Sequence, residues 1–173
     1  MQPVTEAQLR SCFINCSKGE AKRMAVPRDL GQQPWEDLDF LGWSDPAGSG
    51  RAWLAWPAGT GTAIAPTGGK AGLIGVAFRH EPNASTKTQL CSLCLTAHSR
   101  GGVSLMAAAK AGDSGRRGNT IGTYLCTDLA CSLYLRDKKK PALGLIVPES
   151  LTIEQKVTRL VNNLATFVDR LQD

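Results

Sequence analysis

Two short-range cysteine pairs constrain this chain more than any other feature in it. Cys91 and Cys94 form a C-x-x-C in LCSLCLTAH, and Cys126 and Cys131 are separated by four residues in TYLCTDLACSLYLR. Between the pairs lie 31 residues. Zn²⁺ favours tetrahedral thiolate coordination, and two local chelates supply four ligands. Metal bonding offsets the entropy of closing the loop between them.

The segments around the pairs agree with a metal module. GGVSLMAAAK and NTIGTYLC read as extended, and the Gly- and Asp-containing AGDSGRRG between them favours a hairpin connection. TDLACSLYLRDKKKP reads as a helix capped by Thr127 or Asp128, with three lysines at its end and Pro141 as its stop. Knuckle, hairpin, then helix is the layout of a treble-clef zinc finger, with Cys131 in the first helical turn. Amides at that helix start would favour thiolate charge on Cys126 and Cys131. Zn²⁺ with four thiolates keeps a formal charge near −2, which neighbouring Arg and Lys can offset. The competing assignment is a set of buried free thiols with a redox C-x-x-C. That chemistry needs a strand-to-helix setting, and here a knuckle precedes a hairpin.

Four Cys ligands close the coordination sphere, so the expected role of the single Zn²⁺ is structural. The zinc deaminase pattern is not met: Glu81 follows His80 directly, and Leu90 precedes Cys91. His80 and His98 are the only histidines, and no Ser/His/Asp set has a recognisable context. His98 is read as a surface or hydrogen-bonding residue, with a fifth contribution to the metal as the rarer alternative. The Gly-rich AGTGTAIAPTGGK lacks the G-x-x-x-x-G-K-[ST] pattern of a phosphate loop. The expectation is therefore no enzyme and no small-molecule substrate.

Upstream, residues 5–16 read as a helix, with a Thr5/Gln8 capping box and Leu9, Cys12, Phe13 and Cys16 on one face. Cys12 and Cys16 could chelate at that spacing but fit better as small apolar residues of the core. Lys18, Lys22 and Arg23 suggest a solvated face or an extension of a basic surface. Residues 31–50 lack periodicity and read as a loop-rich segment pinned by Trp35, Phe40 and Trp43. RAWLAWP and AGLIGVAFR read as strands, and EPNASTKT as a turn or loop into the knuckle. From about Ser150 to Leu171, Val157, Leu160, Val161, Leu164, Phe167, Val168 and Leu171 form a helical apolar stripe. The expected fold is a small α+β domain with a Cys₄ treble-clef finger and a C-terminal amphipathic helix. Residues 1–80 hold the N-terminal helix and strands, and 81–173 the finger and last helix, packed as one compact unit.

Charge is placed unevenly. The net charge is +5, and residues 91–140 alone carry eight basic against three acidic side chains. Such a field suits nucleic acid or an acidic protein face, with a solubilising surface as the plain alternative. MQPVTEAQLRSCF lacks a basic region followed by an apolar core, and no run reaches membrane-spanning length. Six cysteines without a secretory signal point to a reducing, cytoplasmic setting and to no membrane partner.

Taken together, CSLC…CTDLAC with GGVSL between resembles the FBP-type C-terminal treble-clef zinc-finger family, most strongly over residues 88–140. That family includes the elongation factor G-binding proteins that confer fusidic acid resistance in staphylococci. The resemblance implies a structural zinc on Cys91, Cys94, Cys126 and Cys131, and a surface that binds elongation factor G on the ribosome and promotes its release. The resistance proteins carry a helical bundle before the zinc-containing domain, whereas this chain starts with one short helix. Factor binding, more than drug resistance, is what carries over. Charge and exposure, not a family motif, nominate Arg100, Arg116, Arg117, Arg136, Lys138, Lys139 and Lys140 as contacts. The alternative is a module that binds rRNA or tRNA through the basic 100–140 segment. Against it, only Tyr124 and Tyr134 between residues 81 and 140 could stack on bases.

Overall fold

The computed structural model describes residues 1–59, 72–80, 87–141 and 149–173. The Gly-rich linker from residue 60 and the 81–86 part of EPNASTKT lie outside the described residues. The elements are α1 (Glu6–Ser11), α2 (Lys18–Arg23), β1 (Leu41–Ser44), β2 (Arg51–Pro57), β3 (Leu73–His80), β4 (Gln89–Leu90), β5 (Ala97–His98), β6 (Val103–Ala109), α3 (Gly112–Arg116), β7 (Thr120–Cys126), α4 (Cys131–Leu135) and α5 (Ile153–Gln172).

Five strands form one antiparallel sheet in the order β1-β2-β3-β6-β7, so strands from both sides of residue 80 share it. The two-residue side-chain period of the strands sorts two cores. Ala52, Leu54 and Trp56 of β2, Ile74, Val76 and Phe78 of β3, and Met106 and Ala108 of β6 face α5. The stripe expected on the last helix meets them, and Phe167 stacks on Phe78 with ring centroids 5.8 Å apart. Thr152 and Gln155 close a capping box at the start of α5. On the opposite face, Leu41, Trp43, Trp53, Ala55 and Leu73 pack with Leu9, Cys12 and Met24 of the N-terminal segment. There Trp43 and Trp53, direct partners across β1 and β2, stack at 5.9 Å.

The N-terminal helix is shorter than its periodicity predicts. The Thr5/Gln8 capping box forms, but α1 ends at Ser11. Residues 12–15 instead run beside β3: Gly75 N–H donates to the Cys12 carbonyl at 2.9 Å, and Ile14 N–H donates to the Gly75 carbonyl at 3.0 Å. The cause lies in the sheet. β3 and β6 pair only at Arg79↔Ala107 and His80↔Met106, and elsewhere they splay. Backbone groups buried in that gap need partners. Asn15 supplies them, donating from Nδ2 to the Ala77 and Ala109 carbonyls at 2.9 and 3.1 Å and accepting from Ala77 N–H at 2.8 Å. Gly75 admits the segment: a Cβ there would stand 2.6 Å from the Cys12 sulfur.

Other boundaries moved for similar reasons. Residues 31–50 contain a strand, β1, besides two short 3₁₀ turns, because β2 offers it a free edge. The Lys18–Arg23 cluster lies on a capped helix, with Ser17 and Glu20 forming the box. AGDSGRRG joins β6 to β7 as expected but holds the short α3 rather than a simple turn. The finger helix is brief: α4 stops at Leu135, Asp137 adopts φ +57°, and the three lysines follow outside the helix. Among the described residues, no helix is long and apolar enough to cross a membrane.

Candidate metal centre

Each cysteine pair is delivered by a different local device. Cys91 and Cys94 sit in the turn of the short β4–β5 hairpin, where Leu95 N–H donates to the Cys91 carbonyl at 3.0 Å and Leu95 takes φ +59°. Cys126 is the last residue of β7, and Cys131 the first of α4. Between them Leu129, at φ +54°, turns the chain, with its N–H bonded to the Cys126 carbonyl at 2.8 Å. This is the treble clef read from the sequence.

The four sulfurs lie within 4.8 Å of one another, all buried. Cys91 Sγ is 3.6 Å from Cys131 Sγ, and Cys94 Sγ is 3.5 Å from Cys126 Sγ. Tetrahedral Zn–S bonds of about 2.3 Å place sulfurs about 3.8 Å apart, so this cage fits one Zn²⁺. Cys12 and Cys16 are not brought together with it: Cys12 Sγ lies 3.2 Å from the Leu9 carbonyl in the core, and Cys16 is half-buried. Burial raises both thiols, Cys16 to about 11 and Cys12 to about 12, which keeps them protonated.

Four thiols this close compete for charge. Burial opposes ionisation of Cys91, but the Cys126 and Cys131 thiols and local amides outweigh it and hold its pKa well below the usual thiol value. Cys126 and Cys131 thiols likewise lower Cys94. Cys131 is pushed up by Cys126 and Cys91 in turn. A dication is what allows all four to ionise together, and with four Cys ligands its role is structural.

The amide assistance differs from the sequence expectation. The sequence puts it at the helix start, for Cys126 and Cys131; the donation observed is at the knuckle, Leu93 N–H to Cys91 Sγ at 3.4 Å. α4 is only five residues long, and the free amide ahead of it, Ala130 N–H, binds the Asp128 carboxylate at 3.1 Å.

His98 is not a surface residue. It is buried, with Nε2 3.3 Å from Cys126 Sγ and its ring edge-on to Tyr134 at 4.6 Å. Burial lowers its pKa, favouring a neutral imidazole that can donate to the thiolate. Tyr134 in turn donates to Asp128 at 2.7 Å, and Lys139 pairs with Asp128 at 2.8 Å. Asn163 on α5 donates to the Leu93 carbonyl at 3.0 Å and fixes the knuckle to the main core. The hydrogen-bonding alternative for His98 is the one the fold adopts; nothing local points to Asn163.

The nominated contact residues divide. Arg100, Arg117 and Lys140 are exposed. Arg116 is exposed and pairs with Asp113. Lys138 reaches Asp37 at 3.5 Å. Arg136 is built into the fold: it grips Asp39 with two bonds of 2.7 and 2.8 Å, tying α4 to the segment before β1. Only 16% of the Arg136 and 10% of the Asp39 side chain is exposed.

The sequence model of the FBP C-terminal treble-clef zinc-finger family matches residues 8–171, from α1 to the end of α5. No curated protein matches the chain.

Proposed function

Since the chain belongs to the FBP C-terminal treble-clef zinc-finger family over essentially its whole length, we propose that it is a non-enzymatic, zinc-stabilised adaptor that binds elongation factor G and promotes its release from the ribosome. The family match carries this reading. A closed Cys₄ cage supports the non-enzymatic part, because it gives the metal no open position for a substrate. Recognition then falls to the surface that the metal holds in shape. Leu105 and Tyr124, direct partners across β6 and β7, remain 50% and 44% exposed on the edge of the sheet. An exposed aromatic–aliphatic pair near Arg100 and Arg117 in sequence suits a mixed protein face. RNA is less well served, because Tyr134 is occupied by His98 and Asp128, and Arg136, Lys138 and Lys139 are engaged by acids.

Calorimetric titration of the zinc-loaded protein into purified elongation factor G tests the proposal. One-to-one binding at micromolar affinity or tighter is expected, with loss on zinc removal or on Cys126→Ser. Tyr124→Ala should weaken binding about tenfold with an unchanged melting temperature. No complex, or equal binding by metal-free unfolded protein, overturns it. Binding to ribosomal RNA alone that weakens steeply with salt would favour the RNA reading instead.

A further inference from the structure

On the sheet face turned away from α5, the end of the sheet not covered by α1 holds a cavity of about 580 Å³. Ala77, Ala107 and Ala109 give it a small-residue floor, and Trp53 stands at its inner side. Its walls carry Arg51, Arg79 and Lys110 and one acid, Glu20, together with Arg116, whose charge is paired with Asp113.

Arg51 and Arg79 are direct partners across β2 and β3, so both side chains leave the same face at the same level. Like charges directly opposite on neighbouring strands destabilise a sheet. Among the described residues, neither arginine nor Lys110 makes an ion pair. Glu20 is committed to capping α2, its Oε2 accepting from the Ser17 amide and hydroxyl at 2.9 Å each. Glu20 still acts on both arginines at a distance and offsets part of their charge, and the concave site keeps a positive excess.

The walls are also fixed in place. His80 N–H donates to the Gly50 carbonyl at 2.8 Å, pinning the strand ends that carry the arginines. Lys110 N–H donates to the Asn119 carbonyl at 2.9 Å, and Ala111 N–H to the Leu171 carbonyl at 2.7 Å. Gly115 packs so tightly on the Lys110 carbonyl that a Cβ would lie 1.8 Å from it. Arg51 and Arg79 are exposed and free to turn toward a ligand; guanidinium groups match phosphate oxygens in pairs, and the volume lies in the ~300–1,000 Å³ range of small-ligand sites.

We infer that this cavity binds a phosphate-bearing ligand, with the phosphate seated on Arg51 and Arg79 beside Lys110 and the remainder over the alanine floor. The inference is independent of the elongation factor G reading. The phosphate can come from a free nucleotide or polyphosphate, or from a nucleic-acid backbone.

Calorimetry on the zinc-loaded full chain with pyrophosphate, ADP and a short single-stranded oligoribonucleotide separates these sources. Saturable binding of at least one is expected, weakened tenfold or more in Arg51→Gln and in Arg79→Gln. Each variant should melt close to the parent, because both side chains are exposed and relief of the like-charge pair offsets the lost attraction to Glu20. Binding of pyrophosphate or ADP assigns the site to a free ligand; binding of the oligonucleotide alone assigns it to a backbone. No saturable heat from any of the three, equal binding of citrate, or unchanged affinity in both variants overturns the inference.

Discussion

The two faces of the five-stranded sheet are stabilised by different physics. On one face, α5 and the Cys₄ cage belong to one continuous buried core, in which Cys91, Leu93, Cys94, Cys126, Leu129 and Cys131 pack with Leu160, Leu164 and Phe167. On the other, stacked tryptophans and a short N-terminal segment do the covering by packing and local hydrogen bonds, without a metal, and Asn15 fills the gap in the sheet. The first face depends on a ligand that only the folded chain assembles; the second depends on side-chain fit. The knuckle is a hairpin of two residues per strand, too small to be stable alone, and relies on the cage together with the Asn163 bond, whereas the tryptophan face needs no cross-link.

Zinc removal, or Cys91→Ser, should therefore have the largest effect. Structural zinc contributes roughly 10–16 kcal/mol of binding energy in finger peptides. Even a third of that lowers the melting temperature by roughly 10 °C or more in a chain of this size. Because the cage shares the α5 core, the loss should include near-ultraviolet signal from Trp56, not merely the finger; a melt unchanged by chelator would break the comparison.

Leu9→Ala strikes the other face. Leu9 is fully buried there, and truncating it should cost about 3 kcal/mol. Bound zinc should stay at one per chain by elemental analysis, because the cage belongs to the other core. Zinc lost together with stability would show that the two faces do not act separately.

The smallest of the three effects sharpens the coupling between them. Asp39, next to Phe40 of the α5-side core and Leu38 of the tryptophan side, holds Arg136 of the finger. A double-mutant cycle of Asp39→Asn and Arg136→Met should return a coupling of about 1–3 kcal/mol in thermal or denaturant unfolding. A value near zero would mean that the finger is positioned by the metal and α5 alone.

Much of the α5 side was legible in the sequence. Cys91, Cys94, Cys126 and Cys131 declare the cage through local spacing, β2, β3, β6 and β7 declare themselves as short apolar runs between turn residues, and α5 through its 3.6-residue period. The N-terminal face was legible only in part. The apolar positions of α1 continue past Ser11 at helical spacing, yet residues 12–15 go to β3, whose splayed edge outbids the helix for their backbone bonds. Similarly, β1 is four residues with no clear pattern, and it exists because β2 presents an unpaired edge. Lysine and arginine content near the finger pointed to a contact surface, but Arg136 turned out to be committed to Asp39, 97 residues away in sequence.

By itself the sequence determined the ligand set, the order of the finger's parts and the amphipathic last helix, because each depends on residues within a turn or two of one another. Only the tertiary structure decided that Arg51 would face Arg79, that Asn15 would close the sheet and that His98 would reach Cys126. Those are matters of strand register and chain crossing, set by the burial of distant segments against each other, and no local period encodes them.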